Sequence, residues 1–153
     1  MTVPPDSPFS IATVSWRERC EDLLAVRTEV FVREQGVPEE IEVDEWDPKS
    51  VHALARDGTG TPIGTARLLP VGRIGRVAVI RSWRGRGVGL ALMNGLIESA
   101  TEAGHAELVL HAQTWTTGFY ERIGFVAEGP VFDEAGIPHR TMRLLLRPGC
   151  GSA

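Results

Sequence analysis

The spacing of apolar residues along this chain changes period several times, and each change marks an element. Phe9, Ile11 and Val14 give a short first strand. Ser15 then offers an N-cap, and Cys20, Leu23, Leu24, Arg27, Val30 and Phe31 follow near helical spacing. That helix is expected to stop near Gln35-Gly36, with Pro38 just beyond. Residues 51–56 predict a second strand, closed by the turn Asp57-Gly58-Thr59-Gly60. In residues 62–69, Ile63, Thr65, Arg67 and Leu69 alternate with Gly64, Ala66 and Leu68, which predicts a third strand that Pro70-Val71-Gly72 breaks. Residues 73–80 predict a fourth.

The clearest helical period runs over residues 88–103, where Leu92, Met93, Leu96, Ile97 and Ala100 share one face and Gly104 supplies the stop. Residues 106–111 are mostly apolar, as a central fifth strand would be. Residues 114–122 predict a short helix, 125–128 the start of a sixth strand, 133–138 a turn and 140–146 the last strand. The order β-α-β-β-β-α-β-α-β-β predicts an α/β protein, a mixed sheet with helices on its faces.

Composition then trims the functional classes. The 153 residues fit one domain, expected over residues 9–147 between a flexible tail at 1–8 and a C-terminal tail at 148–153. Hydrophobic residues make up 42% and charged residues 24%, a balance that can bury a core without staples. A formal net charge of −4 speaks against nucleic acid as a partner, which asks for a basic footprint. Lys49 is the only lysine, and the planar guanidinium of arginine suits fixed phosphate contacts better than a mobile ammonium. Cys20 and Cys150 share no metal-ligand spacing and make no disulfide framework. No metal is expected, and a reduced, cytoplasmic setting is the simplest expectation. The first residues lack a basic region followed by an apolar run, and no stretch approaches the roughly 20 apolar residues of a membrane span. Neither a signal peptide nor a membrane association is expected.

The chemistry starts at Arg84-Gly85-Arg86-Gly87-Val88-Gly89, between the fourth strand and the strongest helix. A helix start gathers unpaired N–H groups and a partial positive charge, so an anion lies there favourably. Gly85, Gly87 and Gly89 would let backbone approach a phosphate, and Arg84 and Arg86 add donors. The glycine spacing is not the dinucleotide one, and no Gly-Lys-Ser/Thr follows to make a P-loop. A Gly-x-Ser-x-Gly elbow and a His-Glu-x-x-His pair are both missing from the sequence.

Arg84-x-x-Gly87-x-Gly89 after a strand resembles the acetyl-CoA signature of the GNAT superfamily of N-acetyltransferases. The downstream Phe119-Tyr120-Glu121-Arg122-Ile123-Gly124-Phe125 resembles that family's second hallmark, a helix ending in Tyr and then Gly-Phe. The similarity spans about residues 9–147. It implies a mostly antiparallel sheet of six or seven strands, flanked by about four helices and splayed between the fourth and fifth strands. It implies acetyl-CoA as cosubstrate, with Val77, Ala78 and Val79 offering backbone to the pantetheine arm. The N–H groups of Arg84, Gly85, Arg86, Gly87, Val88 and Gly89 would hold the pyrophosphate. Tyr120 would protonate the departing thiolate, a near match because a thiol has pKa about 8.5 and a phenol about 10.

The superfamily has no fixed base. His111 at the end of the fifth strand and Glu34 are the leading candidates, with His139, Asp44, Glu45 or a water chain as others. Gly64-Thr65-Ala66-Arg67, His111-Ala112-Gln113 and Gly136-Ile137-Pro138-His139 are further similar to small bacterial acetyltransferases of the ElaA/YjcF type. That likeness implies Gln35, Arg67 and His139 around the acceptor. Trp46 joins them from an acidic loop holding Glu39, Glu40, Glu42, Asp44, Glu45 and Asp47, a rim that would concentrate a cationic amine. The acceptor would be a small amine or a peptide, and the protein a monomer or homodimer. Two other readings share these residues: an acyl-homoserine lactone synthase-like acyltransferase, and a non-catalytic CoA-binding module.

Overall fold

The computed structural model describes residues 8–38 and 43–146; the tail expected at 1–8, apart from residue 8, and the one expected at 148–153 lie outside it, as do Glu39, Glu40 and Glu42. Seven strands form one sheet in the order β1-β2-β3-β4-β5-β7-β6. They are β1 Phe9–Val14, β2 Val51–Asp57, β3 Pro62–Leu68, β4 Arg73–Val79, β5 Glu107–Gln113, β6 Val126–Glu134 and β7 Ile137–Leu145. Every neighbouring pair is antiparallel except β4 and β5. Three α-helices, α1 Trp16–Arg27, α2 Val88–Glu102 and α3 Thr117–Ile123, cover it. No helix among the described residues is long and apolar enough to cross a membrane.

Successive strand residues point to opposite faces, and this sheet uses both. On β3, Gly64 lies under α2: a Cβ there would come within 3.0 Å of Val88 and Leu92. Three residues on, Arg67 faces the other side, the side on which Arg27 of α1 meets His52 of β2. Burial therefore runs almost unbroken along β2 and β3. The larger core lies on the α2 face, where Leu92, Met93 and Leu96 pack with Ile63, Leu108 and Met142.

Ser15 caps α1 as expected, in a capping box with Glu18. The helix does not continue evenly to Gln35. After Arg27 it widens into a π-helical stretch, Thr28–Glu34, whose hydrogen bonds reach one residue further than an α-helix allows. Gly36 at φ 74° then ends it. The C-terminal hairpin is also longer than its predicted turn. Only Ala135 (φ 53°) and Gly136 (φ 76°) form the turn, and Glu134 pairs with Ile137 as a strand residue. His139, expected on the turn, is inside β7.

The sheet divides at its one parallel junction. β4 and β5 pair only at Arg73–Val109 and Ile74–Leu110. Beyond Ile74, β4 stays with β3 and β5 stays with β7. A bulge sharpens the parting: Thr65 faces Ala78 and Arg67 faces Gly75, so Arg76 and Val77 together oppose Ala66. Arg76 takes φ 53°, strained for a residue with a side chain.

Candidate active site

The residues of the Gly/Arg turn end a 3-10 turn, Arg81–Trp83, and open α2. Gly85 (φ 77°) and Gly87 (φ 87°) stand in left-handed conformations that side chains resist, with open space where a Cβ would be. Gly89 has a different reason to be glycine: its Cβ would lie 3.2 Å from the Phe119 ring, so it admits α3 against α2. The first hydrogen bond into the helix is Ala91 N–H to the Gly87 carbonyl, 3.0 Å. The N–H groups ahead of it, on Val88, Gly89 and Leu90, have no acceptor within the helix.

Arg84 does not reach out from this turn. Its Nε–H donates to the Val79 carbonyl at 2.9 Å, and its two terminal nitrogens donate to the two oxygens of Glu34 at 2.7 Å each. Hydrogen bonding from Arg84 holds the Glu34 carboxyl below its usual range, against the opposing effect of burial. Glu34 thus presents an occupied carboxylate that ties the π-helical stretch to the turn. Arg86 lies over the Trp83 ring, 5.0 Å from its centre.

The parted strands open a cavity of about 530 Å3. Its wall gathers Gln35, Trp46, Arg67, His111, Tyr120 and His139, six of the residues expected from sequence, together with Val77 at the start of the free β4 edge. Glu34 is not on that wall. Gln35 and Gln113 close one side through two reciprocal amide hydrogen bonds, 3.1 and 3.0 Å. Tyr120 is buried against Phe119 and Phe125. Burial pushes its phenol well above the usual range, so it stays protonated at neutral pH.

On the β5–β7 side, Glu134 stands between two histidines. Its Oε1 is 2.9 Å from His111 Nδ1, and its Oε2 is 3.7 Å from His139 Nε2. Phe132, two residue pairs up the hairpin, packs edge-on to His111 and stacks with His139. The His139 Nδ1 lies 2.7 Å from the Ile137 carbonyl, which fixes its proton on that nitrogen. At His111 two contacts compete: Arg73 also approaches Nδ1 as a donor. Arg73 asks that nitrogen for a lone pair and Glu134 asks it for a proton. Glu134 is the residue that sequence reasoning missed. The signal was a two-residue hairpin turn, hidden because Ala135 stands where Asn or Asp ordinarily announces one.

The opposite wall corrects the acidic rim. Asp44 and Asp47 turn inward instead of facing solvent. Asp47, fully buried, accepts from Arg27 at 2.9 Å and from Arg67 at 3.1 Å. Asp44 accepts from Arg67 at 2.6 Å and Arg76 at 3.3 Å. Burial works to raise both carboxyls, but hydrogen bonds and charge from Arg27 at Asp47 and Arg67 at Asp44 outweigh it and hold both below the usual range. His52, also fully buried, sits behind: its Nε2 is 2.9 Å from the Asp47 carbonyl, and its Nδ1 is 3.4 Å from Arg27. The carbonyl takes the imidazole's one proton and the guanidinium its lone pair, so the neutral ring fits, and burial pushes its pKa down. Trp46 reaches the cavity from this loop with Lys49 over its ring at 5.4 Å, while Glu45 is exposed.

Residues 17–146 match the family model described as an acetyltransferase (GNAT) domain. The chain is 39% identical over 129 residues to YjcF of Bacillus subtilis, an uncharacterized N-acetyltransferase, covering 82% of this chain and 91% of that one. Among solved structures, Escherichia coli ElaA superposes with a TM-score of 0.79 at 28% identity, over 89% of this chain and 99% of ElaA. A CoA-dependent acyl-homoserine lactone synthase, BjaI, shares the fold at TM-score 0.73 and 22% identity, over 92% of this chain and 84% of its own.

Proposed function

The chain belongs to the GNAT acetyltransferase family, and on that footing we propose that it moves an acetyl group from acetyl-CoA to an amine by direct attack in a ternary complex. The observation that carries this reading is the division of the sheet after Ile74, which opens a slot whose wall includes Val77 and Tyr120. The pyrophosphate lies on the N–H groups at the start of α2, where charge and unpaired donors favour an anion. The pantetheine arm follows the backbone of Val77, Ala78 and Val79 into the slot, pairing with an edge that β5 leaves open. This brings the thioester to the cavity.

The amine nitrogen then attacks the thioester carbon. A C–N bond forms, and the tetrahedral oxyanion is stabilised by N–H groups of β4. The C–S bond breaks, and the thiolate takes the proton of Tyr120, whose burial in the free protein raises the phenol above the near match expected from sequence. The proton lost by the amine passes to His111, with Glu134 positioning the ring. Glu34 serves the donor side by fixing Arg84. Gln35, Trp46, Arg67 and His139 surround the acceptor. Neither cysteine takes part, so Cys20→Ala retains activity.

The test is free-thiol release from acetyl-CoA across a panel of amines and peptides. Removing a general acid costs about 10²- to 10⁴-fold, so Tyr120→Phe is expected to lower kcat by at least about 100-fold with little change in acetyl-CoA affinity. Tight acetyl-CoA binding without thiol release from any acceptor would favour the non-catalytic module instead.

A further inference from the structure

Three glycines stand in the described strands, where glycine packs no side chain and gives up the most backbone freedom. Two of them have a local reason. Gly64 lies under α2, where a Cβ would meet Val88 and Leu92 at 3.0 Å, and Gly129 stands at φ 75°. Gly75 of β4 has neither reason. Its φ is outside the left-handed region, and a Cβ built on it would find no heavy atom within 4 Å. The bulge beside it is formed by Arg76 and Val77, and the left-handed angle there belongs to Arg76. Gly75 is on the cavity wall, so the room it leaves is part of the cavity. What remains to account for a glycine inside this strand is the close approach of a ligand.

The place of Gly75 along β4 indicates which ligand group comes close. It is the first residue after Ile74, whose pairing with Leu110 is the last contact of the ladder before β5 leaves. With the donor placed as above, the pyrophosphate lies at 84–89 and the pantetheine arm runs down β4 over Val79, Ala78 and Val77. Beyond the bulge, Gly75 is next on that line. The acyl chain of a thioester continues the line of the arm, whereas an attacking amine approaches the carbonyl carbon from above the thioester plane. The space at Gly75 therefore suits the acyl chain. Leu69, which donates its N–H to the Arg73 carbonyl, lines the cavity together with Ile74 and Leu110 at this closed end of the slot. These apolar side chains suit a hydrocarbon tail.

Building on the acyl-CoA placement above, we propose that Gly75 floors an acyl subsite that admits straight acyl groups longer than acetyl, up to butyryl. Carbon–carbon contacts settle at about 3.5–4.0 Å, so a ligand carbon fits where the side chain of any other residue would stand. The missing side chain at position 75 thus sets which acyl-CoA the protein takes. The reaction is the same for each donor: the C–N bond forms at the carbonyl carbon, the C–S bond breaks, and CoA leaves as the thiol.

Binding without any acceptor tests this. The affinities of acetyl-CoA and butyryl-CoA are measured by calorimetry in the unchanged protein, in Gly75→Ala and in Gly75→Val. Valine suits a strand, and nothing near Gly75 obstructs its Cβ. The unchanged protein is expected to bind butyryl-CoA at least as tightly as acetyl-CoA, and up to roughly 16-fold more tightly, since each buried methylene is worth about fourfold. In Gly75→Val the butyryl-to-acetyl affinity ratio is expected to fall roughly 10-fold or more, the scale of an overfilled pocket, with Gly75→Ala between. The ratio is taken within each protein, so the folded fraction cancels. Butyryl-CoA bound several-fold more weakly than acetyl-CoA by the unchanged protein overturns the inference. So does a ratio that Gly75→Val leaves unmoved, which would assign the space to the acceptor. Thiol release from both acyl-CoAs is followed separately across the amine panel. The expected ratios without any release support the subsite and overturn the transfer reading, whereas no binding of either acyl-CoA overturns both.

Discussion

In the turn at 84–89, the groups offered to a ligand are main-chain N–H groups carried by consecutive residues at the start of one helix. In the cavity they are side chains: Gln35 from the end of the π-helical stretch, Trp46 from a loop, Arg67 from β3, His111 from β5, Glu134 from β6 and His139 from β7. The first kind of site needs little beyond correct local backbone. The second exists only when distant strands pair in register. That contrast means that the cavity can change one side chain at a time without touching the turn.

Substitutions should separate the two regions, and the largest effect is expected on the side-chain-built one. Asp47→Ala leaves Arg27 and Arg67 without the fully buried carboxylate they share. Breaking a buried ion pair from one side costs about 3–5 kcal/mol, read as a fall in unfolding free energy in urea. A smaller effect is expected at the turn. Gly87→Ala forces a side chain into φ 87°, a strain of order 1–3 kcal/mol. Acetyl-CoA affinity by calorimetry is expected to fall about tenfold, with the acceptor KM unchanged. Gln113→Ala removes the reciprocal amide bonds to Gln35, worth about 1 kcal/mol each at most. It is expected to raise the acceptor KM several-fold and leave acetyl-CoA binding alone.

The gentlest effect is a pH slope. The folded pKa of His52 lies below its ordinary 6.5, so the unfolded chain binds the proton more readily. The stability that the neutral ring contributes is full above pH 6.5 and is lost as the pH falls towards the folded value. Thermal melts between pH 8 and 5 are expected to show this decline, and His52→Gln to flatten it. An unchanged slope in His52→Gln would remove His52 from the account.

The same contrast governs what was legible in the sequence. The succession of elements along the chain, the α2 stripe and the glycine turn follow from local period and composition, and all appear in the structure, with most boundaries within a few residues. The polar interior did not. Arg27 sits on an otherwise apolar stripe of α1, which marks a buried charge without naming its partners Asp47 and His52. Asp44 and Asp47 look like a solvated acidic run until Arg67 and Arg76 are placed beside them. Glu134 was hidden inside the expected turn 133–138, of which only residues 135 and 136 are turn, and one misplaced turn residue decides whether a carboxylate faces a histidine or solvent.

Glu34 and Gln35 are neighbours in the chain, yet one holds the glycine turn through Arg84 and the other closes the cavity wall through Gln113. The wide winding of residues 28–34 delivers both. An α-helix turns about 100° per residue, so deleting one residue from this stretch would let it rewind to the ordinary pitch and swing both side chains away together. Point changes can vary the acceptor side alone, but chain length here is shared property: a relative that had gained or lost a residue in this turn would have had to rebuild both halves of its chemistry at once.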